Sequence, residues 1–189
     1  MRTKTVNLYT YSELSEPAKD KVKQWFNSDN ERLTELLKYD LADYYSIPHA
    51  KLSYSLSYCQ GDGVSFTGTW TGEELGAILS NAYDGNVPNE LTLLLPRLTL
   101  NFISIDHHCS HAYTVKTELL LDCYPWDCDE EHDKLIESAE KRINDWRINI
   151  CKELEKTGYT EIDYRYTDDY AADTCLANDY EFYANGDLA

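Results

Sequence analysis

The chain opens with two stretches of helical periodicity. Ser15-Glu16-Pro17 is typical of a helix start, because serine accepts a bond from an unpaired N–H and proline has no N–H to leave unpaired in the first turn. The apolar stripe that follows consists of Ala18, Val22, Trp25 and Phe26. A second stripe runs from Leu33 to Tyr45 and should end before Ile47-Pro48, because proline disfavours helix in the residue ahead of it. The pattern predicts two short amphipathic helices.

Strand periodicity begins at Lys51. Leucine and tyrosine alternate with serine up to Tyr58, and a similar alternation resumes at Val64, after the turn residues Gln60-Gly61-Asp62-Gly63. Residues 51–71 are therefore predicted to form an antiparallel hairpin. Residues 73–82 favour a short helix, 101–106 and 112–121 favour two further strands, and 89–100 is ambiguous between helix and strand.

The second half of the chain carries the longest helical pattern. Apolar residues recur at helical spacing from Asp127 to Lys156, acids cluster in the first turn, and Gly158 is a natural C-cap. A last helix from Thr167 to Asn178 and a closing strand at 180–183 should follow. The chain, residues 1–189, is thus predicted to be a single α+β domain. Its antiparallel sheet of three to five strands would be covered by the N-terminal helices and by the long helix 129–156.

Composition and net charge limit the classes of function expected of this chain. A chain of 189 residues with 42% hydrophobic residues can bury a core without a disulfide or metal. Its 34 acids against 17 bases give a net charge of −17, which repels nucleic-acid phosphates and anionic membranes, so neither is expected as a direct partner. Residues 1–16 contain no apolar signal-peptide core. We therefore expect a cytoplasmic protein whose six cysteines are thiols.

The acidic charge is concentrated towards the end of the sequence. Residues 157–189 hold eight acids and one base, and tyrosines are interleaved with the acids. Carboxylates spaced over a rigid scaffold imitate the phosphates of duplex DNA, and tyrosine supplies contact area at interfaces. Two alternatives stay open: a solvated acidic surface, and tyrosines that belong to the core. The candidate partner-binding residues are Asp163, Tyr166, Asp168, Asp169, Tyr170, Asp173, Asp179 and Glu181.

The Gln60-Gly61-Asp62-Gly63 segment is a second candidate. It superficially resembles a phosphate-binding loop, yet Phe66 occupies the position of the third glycine in that motif, and a hairpin turn offers no helix N-terminus. We expect its glycines to serve the turn conformation and its polar side chains to bond to turn backbone. The alternative is a recognition loop carried by the hairpin.

His107, His108, Cys109 and His111 form a metal-like cluster, with Cys123 and Cys128 one predicted strand away. A zinc site could form if the chain doubles back between them, but the sequence contains neither C-x-x-C nor H-E-x-x-H. Ser110 and Cys109 have histidines beside them, although adjacent strand residues point to opposite faces, and no G-x-S-x-G occurs. We therefore expect a protein that binds no metal or cofactor and has no enzymatic activity. The alternative is a zinc-dependent enzyme that uses the His107–His111 segment.

Five segments of this sequence also occur, in the same order, in a known protein family. They are YTYSELSEPAKDKVKQWF, YSLSYCQGDGVSFTG, ISIDHHCSHAY, KRINDWRINICKELEK and ANDYEFYANG. The chain resembles, over its full length, a family encoded by bacteriophages and prophages and often labelled "antitoxin of toxin–antitoxin stability system". The resemblance implies action inside an infected or lysogenic bacterial cell. Together with the charge, it suggests an anti-defence inhibitor, of the anti-CRISPR-like or DNA-mimic type, that blocks a nucleic-acid-handling enzyme. The expected partner is a host or prophage protein with a basic nucleic-acid-binding surface. An antitoxin that covers a cognate toxin is the runner-up.

Overall fold

The computed structural model describes residues 6–28, 30–106, 109–122 and 130–189. Within these ranges it contains six α-helices and one four-stranded antiparallel sheet, which confirms the predicted α+β class. Contacts divide the chain into two compact units. The first unit consists of Met1–Thr34 and Gly158–Ala189, and the second of Glu35–Thr157. The single domain stays a prediction.

The elements follow the predicted order. The helices are α1 Glu16–Asn27, α2 Glu31–Tyr39, α3 Gly72–Ala82, α4 Asn89–Leu94, α5 Glu130–Arg165 and α6 Asp168–Ala177. The strands are β1 Lys51–Ser55, β2 Gly63–Thr71, β3 Leu98–Ser104 and β4 Val115–Leu121. A π-helical turn, Asp40–Tyr44, extends α2 and ends before Pro48, as the proline predicts. The ambiguous segment divides into α4, one 3₁₀ turn at Leu95–Arg97, and the start of β3.

The second unit is built on the sheet, whose strand order is β1-β2-β3-β4. The predicted hairpin is confirmed, with Lys51 opposite Thr67 and Ser55 opposite Gly63. Strand β1 ends three residues before the end of the alternating pattern. In β3 and β4 every second residue faces a core. The buried residues of β2, β3 and β4 are Gly63, Val64, Ser65, Phe66, Trp70, Leu98, Leu100, Phe102, Val115, Thr117 and Leu119.

Strand β4 lies at the edge of the sheet, and side chains of α5 bond to its free backbone groups. Glu140 accepts the N–H of Leu119 at 3.0 Å. The guanidinium of Arg147 donates to the carbonyl oxygen of Val115 at 2.9 Å, and to that of Ala112, in the turn before the strand, at 2.8 Å. Unpaired edge groups would otherwise be available for pairing with another strand. Arg147 is 1% exposed, and burial lowers its pKa.

Helix α5 is longer than predicted. Gly158 was expected to end it, but the helix continues to Arg165, and Gly158 is buried within it. Arg165 is also buried, and its Nε donates to Glu161 Oε1 one turn earlier at 2.9 Å. Burial of Gly158 and Arg165 on one side of the helix supplies stabilisation that offsets the low helix propensity of glycine.

The first unit is held by a core of buried residues from both of its chain segments. They are Tyr11, Leu14, Ala18, Val22, Ala171, Cys175 and Phe182. Helix α6 begins after Thr167, whose hydroxyl accepts the N–H of Tyr170, as predicted for a last helix. The predicted closing strand at 180–183 is reduced to single bridges from Phe182 to Tyr9 and to Leu188.

Candidate functional site

The Gln60–Gly63 turn is organised by one carboxylate. Asp62 accepts the backbone N–H groups of Ser57 at 2.6 Å and Cys59 at 2.9 Å, and the hydroxyl of Ser55 at 2.8 Å. These bonds replace strand pairing beyond Ser55, which explains where β1 ends. Gly61 has a φ of +94°, a conformation that glycine adopts readily. The predicted bonding of Asp62 to turn backbone is confirmed.

The turn lies against the segment that contains Cys109 and His111. A Cβ placed on Gly63 would lie 2.6 Å from His111 Cβ and 3.2 Å from the carbonyl oxygen of Ser110. A Cβ on Gly61 would lie 3.9 Å from the Cys109 sulfur. Ser110 is also within 2.9 Å of the hydroxyl of Ser53 in β1. The structure thus brings together two candidates that are far apart in sequence, the turn and part of the His/Cys cluster.

We expect Gly63→Ala to destabilise the protein by roughly 2 kcal/mol, because the new methyl group meets backbone that has little room to move. Gly85→Ala is the matched control: Gly85 also has a positive φ, of +79°, but a Cβ there meets nothing within 4 Å. Its expected cost is about 1 kcal/mol from conformational strain alone. Urea denaturation of both variants checks this. Equal costs would show that the close approach of residues 110–111 has no energetic consequence.

The structure places only part of the metal-like cluster. Cys109 and His111 are described, whereas His107, His108, Cys123 and Cys128 lie outside the described residues. The His111 ring accepts the backbone N–H of Tyr113 through Nδ1 at 3.2 Å, so this nitrogen serves the turn before β4. Among the residues described, no three histidine, cysteine or acidic side chains are grouped as metal ligands. The described cysteines Cys59, Cys109, Cys151 and Cys175 are free thiols.

Most candidate partner-binding residues are exposed. They are Asp163, Tyr166, Asp168, Asp169, Asp173, Asp179 and Glu181. Asp169 and Asp173 are four residues apart on α6 and therefore point from the same side of the helix. Within the described part of the chain, Asp169, Asp173, Asp179 and Glu181 form no ion pair. We call these four carboxylates the acidic face.

Asp168 has a structural role in the first unit. Its Oδ1 accepts the hydroxyl of Tyr11 at 2.8 Å and the ammonium of Lys23 at 3.0 Å. The Tyr11 bond, followed by that of Lys23, lowers the pKa of the Asp168 carboxyl. Because the folded pKa lies below the unfolded one, the stabilisation is lost as pH falls through the folded pKa. Asp168 is therefore unsuited to a test of binding that must leave the fold intact.

Tyr170 is the candidate that the structure places inside the fold. It is 7% exposed, its ring meets that of Phe26 edge-on at 5.8 Å, and its hydroxyl accepts a bond from Arg32 at 3.1 Å. The open alternative, that these tyrosines belong to the core, therefore applies to Tyr170. Tyr166, by contrast, is 50% exposed.

An apolar groove of about 590 Å³ borders the acidic face. Its lining residues come from α6, from the start of the first unit and from the segment after α6: Thr10, Tyr11, Ser12, Ala172, Cys175, Leu176, Asp179, Tyr180 and Glu181. Leu176 is 79% exposed, although leucine is normally buried. Asp179 and Glu181 belong both to the lining and to the acidic face. An exposed apolar surface with a charged rim is typical of protein interaction sites.

No family model, curated protein or solved structure matches this chain. The function must therefore be inferred from the site itself.

The groove could not be predicted from the sequence. Its acids stand out in the sequence, but Leu176 and Tyr11 do not, because the groove forms only where residues 10–12 meet residues 172–181. One signal was available: Leu176 is the large aliphatic residue in the predicted last helix.

None of the helices in the described ranges combines the length and apolar character needed to cross a bilayer.

Proposed function

We propose that the chain is a phage-encoded acidic binding protein that inhibits a host protein by occupying its basic nucleic-acid-binding surface. The observation that carries the proposal is the acidic face beside the apolar groove. The resemblance to phage and prophage proteins supplies the setting, an infected or lysogenic bacterial cell. Binding, with no catalytic step, is the activity that we assign.

The two parts of the site have different roles. The carboxylates of the acidic face attract lysine and arginine over a distance and raise the rate of association. The groove provides binding energy at short range, since apolar and aromatic side chains buried near the centre of an interface contribute most of the affinity. The partner surface should therefore combine basic residues with an apolar side chain that enters beside Leu176.

Not every acid of the C-terminal segment is available to a partner. Lys23 binds Asp168, and Lys21 binds Asp187, so lysines of α1 neutralise these two carboxylates within the first unit. The four carboxylates of the acidic face form no such pairs with described residues. They carry the charge that a partner would meet, which limits the mimicry of phosphate to this part of the segment.

The proposal predicts that Asp169→Lys/Asp173→Lys loses its partner while remaining folded. We would capture host proteins on the tagged full chain and measure how captured protein decreases between roughly 50 and 200 mM salt, where the screening length shortens to about 7 Å. The parent should lose its partner with rising salt, and the variant should bind weakly throughout. The captured protein should bind nucleic acid, and adding the parent chain should block that binding.

The matched control is Glu137→Lys/Asp145→Lys, which makes the same charge change at exposed positions of α5 in the second unit. If binding depends on the position of the carboxylates on α6, this control should bind like the parent. If binding depends only on the net charge of the chain, the control should bind as weakly as Asp169→Lys/Asp173→Lys. Thermal melting of both variants shows whether they are folded. Equal capture by the parent and by Asp169→Lys/Asp173→Lys, or indifference to salt, would contradict the proposal. Capture of a toxin encoded beside the chain's own gene would favour the antitoxin alternative.

A further inference from the structure

A second cavity of the first unit, of about 350 Å³, has walls of aromatic rings. Trp25 lies 4.9 Å from Phe26 and 5.6 Å from Tyr180, measured between ring centroids, and Phe26 lies 5.8 Å from Tyr170. The four rings therefore form a connected wall. Trp25 is 43% exposed, so part of its indole ring can be reached from solvent. We call this space the aromatic cavity.

Two arginines also line the aromatic cavity. The guanidinium of Arg32 lies 5.5 Å from the centroid of the Tyr170 ring, and its Nε is 3.9 Å from Glu161 Oε1. Arg165 Nε donates to the same carboxylate oxygen at 2.9 Å. Both guanidinium groups therefore lie near Glu161. The described residues that line the cavity include these two arginines and no acid, in a chain of net charge −17.

This combination fits one class of ligand. Guanidinium groups bind phosphate with paired hydrogen bonds. Aromatic side chains stack on nucleobases. The volume of the cavity is at the lower end of the range for small-molecule sites, about 300–1,000 Å³. The side chain of Arg32 is 59% exposed and can turn towards a ligand, whereas that of Arg165 is fixed by burial.

We propose that the aromatic cavity binds a nucleoside monophosphate, with the base against Trp25 and the phosphate at Arg32. The site uses none of the four acidic-face carboxylates and does not depend on the proposed function. The anionic surface repels a nucleic-acid strand through many phosphates at once. A nucleoside monophosphate carries only one phosphate group, so this repulsion is much smaller.

Isothermal titration calorimetry of the full chain tests the proposal with each of the four ribonucleoside 5′-monophosphates. At least one should bind with a stoichiometry of one and change the tryptophan fluorescence. This fluorescence change should be absent in Trp25→Phe, which assigns it to Trp25. Arg32→Gln should weaken binding roughly 10- to 100-fold, the usual effect of losing a charged hydrogen bond. Lys38→Gln, which removes one positive charge from an exposed position of α2, should bind like the parent.

Two reference ligands separate the parts of the site. Inorganic phosphate and the free nucleoside should each bind much more weakly than the nucleotide. If phosphate alone binds equally well, the cavity is a simple anion site and the proposal is wrong. It is also wrong if no monophosphate binds, or if Arg32→Gln, folded by its melting curve, binds as the parent does.

Discussion

Replacing Arg147 with methionine should lower the free energy of unfolding by about 3–5 kcal/mol, among the larger effects of single substitutions. Methionine fills a similar volume but cannot donate to the carbonyl oxygens of Val115 and Ala112. Each buried carbonyl left without a donor costs about 1–3 kcal/mol. Arg147 Nη2 also donates to Asn144 Oδ1 at 2.9 Å, and the guanidinium lies 5.6 Å from the Phe102 ring centroid. These contacts are lost too.

Urea denaturation followed by circular dichroism measures the effect. Lys141→Met is the matched control, because it removes a positive charge at an exposed position of the same helix. The control should stay within about 0.5 kcal/mol of the parent. If Arg147→Met is as stable as the control, the bonds from α5 to the edge of the sheet contribute little. Arg147→Met should also aggregate more readily, because β4 loses part of its edge protection.

Phe182→Ala should destabilise the first unit by about 3–5 kcal/mol. The side chain of Phe182 is fully buried among Tyr11, Val22 and Cys175 in the core of that unit. Its backbone exchanges two hydrogen bonds of 2.9 Å with Tyr9, so the same residue joins both chain segments of the unit. Truncation leaves a cavity beside this junction.

The control for Phe182→Ala is Tyr183→Ala, the next residue, whose side chain is 41% exposed. Amide hydrogen exchange gives the clearest measurement, because it reports the two units separately. Exchange in α1 and α6 should speed up in Phe182→Ala and remain near the parent in Tyr183→Ala. Unchanged protection in α1 would mean that the core of the first unit does not depend on Phe182.

Local sequence signals predicted the elements that depend on neighbouring residues. The start of α6 follows from the capping hydroxyl of Thr167. Helix α1 starts after Ser15 as predicted, with Pro17 in its first turn, but the predicted capping bond of the Ser15 side chain is not formed. The hairpin follows from alternation and from the turn glycines. In each case the residues that decide the structure lie within a few positions of one another, so a single sequence contains the information.

Contacts between distant residues account for most of what could not be predicted. The bond from Tyr11 to Asp168 spans 157 positions, so nothing near Asp168 distinguishes it from Asp169. Gly158 stays helical because its side of α5 is buried, which propensity does not reveal. The burial of Tyr170 and the formation of the groove have the same cause. The structural role of Arg147 also depends on distant residues, although its position four residues after Ile143 places it on the apolar stripe of α5.

The division of the chain into units has a consequence for its synthesis on the ribosome. Residues 35–157 are contiguous and emerge as one stretch, so the sheet can form while translation continues. The core of residues 6–34 forms later, because it depends on Phe182 and α6, which are synthesised after residue 157. Until then Val22 and Leu14 are exposed to solvent. The segment 6–34 is therefore open to chaperones and proteases during this interval, and the groove and the acidic face form only after residues 168–182 have been synthesised.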